Sequence, residues 1–253
     1  MPRKARRKSK TGIYHMVLRG INKQVIFEEK EDSQQFLRTL IKYKEKSNYT
    51  IYAYCLMGNH IHILIKEGEE TLGMAMRRIG ASYVYWYNWK YDRVGHLFQD
   101  RYISEVVEDK RYLLTALRYI HHNPLKAGIV EDLQDYQWSS FTEYSLENEK
   151  IVDIDFILNL FHSDRRRAIL RFERYHQVES ERKCLDVNEI SRMKDSEAIS
   201  VIKNICNIAH STDIQKLDKE RRDKYIKEIK EKGLSTRQIS RLTGISRHIV
   251  LNV

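Results

Sequence analysis

Apolar positions in the first half of the chain follow two periodicities. Short runs rich in β-branched residues predict strands at residues 13–18, 50–56, 61–66 and 102–107. Apolar residues at helical spacing predict helices at about residues 32–46, 71–91 and 109–121, with Pro124 ending the third. This order predicts an α+β fold, a ferredoxin-like antiparallel sheet of about four or five strands with helices on one face.

The pattern changes in the second half of the chain. Beyond Asp153 the sequence is highly charged, lacks proline and has helical periodicity. Helices are predicted at residues 155–161, 165–178, 187–193, 195–208 and 216–231. We therefore expect a basic arm at residues 1–10, an α+β domain at residues 11–150 and an all-α domain at residues 151–253.

The last helical segments have the form of a helix-turn-helix. Ser235 and Ser246 are suited to cap two short helices, and Gly244 to make the turn between them. Residues 232–253 contain four Lys or Arg and no acid. The predicted contacts to duplex DNA are Arg237, Arg241 and Arg247. An ordinary helical hairpin is the alternative, because few residues remain for the second helix.

The charge of the chain favours a polyanionic partner. The 253 residues contain 45 Lys and Arg against 35 Asp and Glu, a formal net charge of +10. This balance fits nucleic acid better than an acidic protein or a membrane. The basic arm can lie along phosphates, although a solvated terminus is the alternative. The cationic residues considered for DNA contacts outside the helix-turn-helix are Arg3, Lys4, Arg6, Arg7, Arg19 and Arg101.

Cellular location is predicted from what the sequence does not contain. We see no apolar run long enough to span a bilayer and no apolar leader, so we expect a cytoplasmic, nucleoid-associated protein. The three cysteines, Cys55, Cys184 and Cys206, lie far apart and without paired spacing. They are predicted to be reduced and structural.

Two histidines stand one residue apart in the third predicted strand. Because side chains alternate between the faces of a strand, His60 and His62 are predicted to point to the same face and can share one cation. The preceding Met57-Gly58-Asn59 is typical of a turn. The alternative is that both histidines are ordinary surface or core residues.

A tyrosine and an asparagine stand four residues apart in the third predicted helix. This spacing places Tyr119 and Asn123 on one face of the helix. A phenolic oxygen can attack an electrophile beside a metal ion, and an amide carbonyl can complete its coordination. The chain contains 16 tyrosines, however, so the spacing alone does not single out Tyr119.

Four ordered motifs carry a resemblance to a known family. They are Gly58-Asn-His-Ile-His62, Gly95-His-Leu-Phe-Gln-Asp-Arg-Tyr102, Tyr119-Ile-His-His-Asn-Pro124 and Trp138-Ser-Ser140. Together they resemble the HUH single-tyrosine transposases, in particular the branch of REP-associated tyrosine transposases. The resemblance covers about residues 11–144 and leaves out the C-terminal hundred residues.

The resemblance implies a metal-dependent single-stranded DNA endonuclease and strand transferase acting at hairpin-containing sites. It implies that His60 and His62 bind Mg²⁺ or Mn²⁺, with Asn123 as a third ligand at a position where branches of the family differ. It also implies that Tyr119 attacks a backbone phosphate, which gives a 5′-phosphotyrosine and a free 3′-hydroxyl. We expect a monomer or homodimer. The alternatives are a non-catalytic sequence-specific DNA-binding regulator and an HUH replication initiator or relaxase.

Overall fold

The computed structural model describes residues 6–147, 151–177, 184 and 195–253. The chain divides into two compact units, Met1–Asp186 and Val187–Val253. This division differs from the boundary expected near residue 150, because Ile151, Val152 and Ile154 are buried in the core of the first unit. Arg3, Lys4 and the helix expected at residues 187–193 lie outside the described residues.

The first unit is built on a four-stranded sheet. Its strands are β1 (Ile13–Arg19), β2 (Thr50–Met57), β3 (His60–Lys66) and β4 (Ile103–Val106). They are ordered β2-β3-β1-β4, and every neighbouring pair is antiparallel. The predicted α+β class and the four predicted strands are confirmed.

Helices and short 3-10 turns complete the first unit. The helices are α1 (Lys30–Ser47), α2 (Leu72–Lys90), α3 (Lys110–Lys126), α4 (Phe141–Ser145), α5 (Ile154–Asn159) and α6 (Arg165–Gln177). The 3-10 turns are Ile21–Lys23 and Leu133–Asp135. Among the described residues, no helix is both long enough and apolar enough to cross a membrane.

Both faces of the sheet are covered, whereas the sequence predicted helices on one face. Val17 pairs opposite His62 on one face, and Met16 pairs opposite Ile63 on the other. All four side chains are buried. The ring of Tyr119 on α3 lies against His62, so α3 covers the histidine face. Six consecutive residues of β1 and five of β3 are buried, which is the pattern of strands covered on both faces.

Helix α3 continues past Pro124, so the prediction that this proline ends the helix is wrong. Proline has no amide hydrogen to donate to the carbonyl of Ile120. The side-chain amide of Asn123 donates to that carbonyl oxygen instead, at 3.4 Å, and to the carbonyl oxygen of Tyr119 at 2.8 Å. The extra turn brings Lys126 onto the same helix face as Tyr119, because seven residues make about two turns.

The second unit is helical, as predicted. It contains α7 (Asp195–Cys206), a 3-10 turn (Ser211–Lys216), α8 (Lys219–Glu231), α9 (Thr236–Thr243) and α10 (Arg247–Asn252). The side chains of Ser235 and Ser246 accept hydrogen bonds from Gln238 and Ile249, so both predicted caps are confirmed. Gly244 is left-handed, with φ of 74°, as the predicted turn requires. Duplex binding by this helix pair stays a prediction.

Candidate functional site

A tight turn positions the start of β3. The amide of Gly20 donates a 2.9 Å hydrogen bond to the carbonyl oxygen of Asn59 in this turn. A Cβ at position 20 would lie 2.3 Å from the carbonyl oxygen of Gln24, so only glycine permits this close approach. The segment after β1 therefore fixes the turn that precedes His60.

The side chain of Asn59 orients His60. Its Oδ1 lies 2.6 Å from His60 Nδ1, while its Nδ2 donates to the carbonyl oxygen of Lys23 at 3.4 Å. Because Oδ1 can only accept, the hydrogen of His60 resides on Nδ1. The lone pair of the imidazole is then on Nε2, the atom that a metal ion would bind.

His62 is fully buried against a histidine of β1. His62 Nδ1 lies 3.1 Å from His15 Nε2, and both side chains have no exposed surface. His62 Nε2 and His15 Nδ1 are buried with no hydrogen-bond partner among the described residues. A buried ring nitrogen without a partner carries a desolvation penalty that a bound ligand would remove.

Burial keeps both of these imidazoles neutral. Desolvation lowers the pKa of His15 to about 3. Desolvation also lowers the pKa of His62 well below its ordinary value, and electrostatic interactions with His15, His60 and Lys126 lower it further. Neutral imidazole is the form that binds a metal ion, so the electrostatics favour a ligand role for His62.

The structure brings Tyr119 to the buried histidines. Its ring centroid lies 5.6 Å from that of His62 and 5.9 Å from that of His15, both in edge-on geometry. His60 and His62 have centroids 5.0 Å apart. Only 8% of Tyr119 is exposed. A predicted nucleophile from α3 and two predicted ligands from β3 therefore form one site.

The donors fit an open divalent-cation site. The described residues contain no group of three His, Cys, Asp or Glu suited to a metal ion. Two imidazoles remain, with His62 Nε2 buried and without a hydrogen-bond partner. The contacts shown for Asn123 are to its own helix through Nδ2, which leaves Oδ1 as its possible ligand atom. Such a set suits Mg²⁺ or Mn²⁺ completed by water and phosphate oxygens.

Sequence reasoning missed two residues of this site, His15 and Lys126. Lys126 Nζ lies 4.4 Å from the centroid of the Tyr119 ring. His15 was missed because its place beside His62 depends on the pairing of β1 with β3. Lys126 was missed because the helix was expected to end before it.

The predicted DNA-contacting cations are spread over both units. Arg6 stacks on the Tyr102 ring at 3.7 Å and donates to its carbonyl oxygen at 2.8 Å. Arg19 pairs opposite His60 in the sheet, which places it near the histidines. The exposed cations are Arg7 and Arg101 in the first unit and Arg241 and Arg247 in the second. Arg237 lies in α9, Thr236–Thr243.

Comparison with known families identifies the part of the chain that contains this site. The family model described as "Transposase IS200 like" matches residues 8–123. Residues 8–123 belong to the IS200-like transposase family. This IS200-like region contains His15, His60, His62, Tyr119 and Asn123, and the resemblance seen in the motifs is confirmed. Lys126 lies just beyond it.

Two individual proteins are also similar to this chain. A curated protein of Haemophilus influenzae, described as a REP-associated tyrosine transposase, is 26% identical over 100 residues, which cover 35% of this chain and 57% of that protein. A solved structure of a REP-associated tyrosine transposase bound to a REP hairpin superposes with a TM-score of 0.52. It shares 18% sequence identity and covers 74% of this chain and 100% of its own. The similarity to this solved structure supports the fold of the present chain.

Proposed function

We propose that this protein is a transposase, a metal-dependent endonuclease and strand transferase of single-stranded DNA. One observation carries the proposal: in the IS200-like region, Tyr119 lies against a buried, neutral His62 whose Nε2 has no hydrogen-bond partner among the described residues. A tyrosine beside such a ring nitrogen is suited to covalent phosphoryl chemistry.

His60 and His62 are the proposed ligands of Mg²⁺ or Mn²⁺, with the Asn123 amide oxygen as the third protein ligand. When bound, the cation supplies Lewis-acid polarisation of the scissile phosphate. Asn59 fixes the hydrogen of His60 on Nδ1, so Nε2 is the proposed ligand atom. His15 is proposed to accept a hydrogen bond from His62 Nδ1, which leaves the lone pair of His62 on Nε2.

Tyr119 is the proposed nucleophile. Its phenolic oxygen loses its proton and forms a bond to phosphorus, while the bond from phosphorus to the 3′ oxygen breaks. The departing 3′ oxygen takes up a proton, and the 5′ phosphate stays on the tyrosine. The ammonium of Lys126, beside the Tyr119 ring, is suited to offset the charge that develops on the phosphoryl oxygens. Attack by a 3′-hydroxyl on the phosphotyrosine then joins strands.

The proposed substrate is single-stranded DNA that contains hairpins. The net charge of +10 supports a polyanionic partner, and a solved structure of similar fold is described as bound to a REP hairpin. Arg7, Arg19 and Arg101 are proposed phosphate contacts in the first unit. We further propose that the helices at residues 236–252 bind duplex DNA, and that the protein acts in the cytoplasm at the nucleoid as a monomer or homodimer.

Covalent trapping tests the proposal. Hairpin-containing single strands from beside the gene, labelled at the 3′ end, would be incubated with the protein and Mn²⁺ or Mg²⁺. A labelled adduct should survive a denaturing gel, because the 5′ phosphate of the labelled fragment is bound to Tyr119. The adduct should be absent with chelator and in Tyr119→Phe.

The same experiment distinguishes the alternatives. Chelator-insensitive duplex binding without any adduct would favour the non-catalytic regulator and overturn the proposal. An adduct that persists in Tyr119→Phe would mean that another residue is the nucleophile. Cleavage without joining to a second strand that carries a 3′-hydroxyl would overturn the strand-transferase part of the proposal and leave an endonuclease.

A further inference from the structure

A cavity of about 570 Å³ opens beside Tyr119, between α3, the 3-10 turn at Leu133–Asp135 and α6. Ligand sites for small molecules typically have volumes of about 300 to 1,000 Å³. Tyr119 forms part of the cavity wall, and its ring also contacts His15 and His62. The proposed nucleophile is therefore shared by the histidine site and the cavity.

The wall combines apolar surface with charges of both signs. Its apolar members are Leu125, Leu133 and Phe141, its cations are Arg118 and Lys126, and its acids are Glu131, Asp132 and Glu173. Arg118 donates to the carbonyl oxygen of Tyr175, and Asp132 accepts from the amide of Gln134. Within the described residues, Glu131 and Glu173 form neither an ion pair nor a side-chain hydrogen bond.

The proposed reaction brings nucleotides close to this cavity. The scissile phosphate has to reach the phenolic oxygen of Tyr119, and the nucleotides on both sides are joined to that phosphate. Tyr119 lines both the histidine site and the cavity, so the cavity is the adjoining space that one of these nucleotides can occupy. A nucleobase has apolar faces and a polar edge, so it matches a wall of apolar residues with Lys126 near the phosphate and carboxylates nearby.

We infer that the cavity binds the base of a nucleotide that flanks the scissile phosphate, and that Glu131 and Glu173 select a base with an exocyclic amino group. The inference rests on the proposed function. Carboxylates only accept hydrogen bonds, and the amino groups of adenine, cytosine and guanine donate them. Thymine presents a single N–H between two carbonyl oxygens, which the carboxylates would repel.

Adduct kinetics on a matched set of substrates test this inference. Once the cut is mapped, each flanking position would carry A, C, G, T or an abasic site in turn. At one of the two positions, thymine and the abasic site should form the adduct about tenfold more slowly than the best amino-bearing base. The double variant Glu131→Gln/Glu173→Gln should accept thymine at a similar rate, because an amide both donates and accepts.

The control variant is Glu45→Gln, which changes an exposed carboxylate on α1. It should keep the base preference of the wild type. Equal rates for all four bases and the abasic site at both positions would overturn the inference and leave the proposed function in place. A thymine penalty retained in the double variant would overturn selection by the two glutamates. No adduct on any substrate would instead overturn the proposed function.

Discussion

The protein buries two pairs of histidines, and the pairs differ in how completely their nitrogens are satisfied. His121 Nδ1 lies 3.0 Å from His176 Nε2, and their other nitrogens lie 2.9 Å from Ser140 Oγ and the Phe172 carbonyl oxygen. His15 and His62 share one contact of 3.1 Å, and each leaves its second nitrogen buried without a partner among the described residues.

We call His121/His176 the complete pair and His15/His62 the incomplete pair. In the complete pair, the available donors and acceptors decide the direction of each hydrogen bond. The Phe172 carbonyl can only accept, so His176 carries its hydrogen on Nδ1 and accepts from His121 at Nε2. Ser140 then donates to His121 Nε2. Every nitrogen of this pair has a structural role. An unsatisfied buried polar group destabilises a fold by about 1–3 kcal/mol. Ligand binding at the incomplete pair would remove this cost, whereas the complete pair has no such cost to remove.

The largest expected effect is a loss of activity without a loss of stability. Replacing both members of the incomplete pair in His15→Leu/His62→Leu should reduce adduct formation by about a thousandfold or more, because one ligand of the Lewis acid is lost. The free energy of unfolding in urea should stay the same or rise, since two unsatisfied polar groups are replaced by apolar ones.

Matched unfolding and adduct assays on this double variant check the comparison. A large loss of stability would contradict the assignment of the pair to ligand binding. The natural control is Tyr119→Phe, which should also lose the adduct but leaves both histidines in place.

Local sequence patterns predicted only part of this site. The His60/His62 spacing and the Tyr119/Asn123 spacing are periodicities within one strand and one helix, so they can be seen in the sequence. His15 is distant in sequence from His62, and its role appears only when the pairing of Val17 with His62 is known.

Helix α3 shows a second limit of sequence reasoning. Proline usually ends a helix, but the Asn123 side chain occupies the carbonyl that Pro124 leaves without a donor. The helix therefore reaches Lys126, and a cation joins the site that the sequence rule excluded. The same bonds give Asn123 a role in the helix in addition to the predicted role as a metal ligand.

The next effect concerns metal affinity. His15→Leu removes the acceptor of His62 Nδ1 and should weaken Mn²⁺ binding by about 10- to 100-fold, the usual range for the loss of such a supporting partner. His15→Gln should recover much of this loss, because its amide oxygen can accept the same hydrogen bond. Isothermal titration of Mn²⁺ without DNA measures both. Equal weakening in the two variants would argue that His15 only fills space.

Replacing a member of the complete pair should lower the stability of the fold. His176→Leu leaves the buried His121 Nδ1 hydrogen without its acceptor, and we expect a loss of about 1–3 kcal/mol in the free energy of unfolding. Mn²⁺ affinity should change little. His96→Leu, at an exposed loop position, is the control and should leave stability nearly unchanged. A His176 variant as stable as the wild type would remove the distinction between the pairs.

The smallest effect is a pH dependence. Burial lowers the pKa of His176 to about 3 and that of His121 well below its ordinary value. Below a pH of about 6.5 the unfolded histidines bind protons that the folded ones do not, so stability falls towards pH 3 and is level above 6.5. His176 alone should contribute a loss of about 1 kcal/mol between pH 6 and pH 5.

Urea unfolding of the metal-free protein with chelator measures this dependence. His176→Leu cannot take up the extra proton on unfolding, so its stability should fall less steeply between pH 6 and pH 5 than that of the wild type. The same slope in both proteins would mean that His176 is protonated in the folded state. A protonated His176 would donate from both nitrogens, and the directions assigned to the bonds with His121 and Ser140 would have to be reversed.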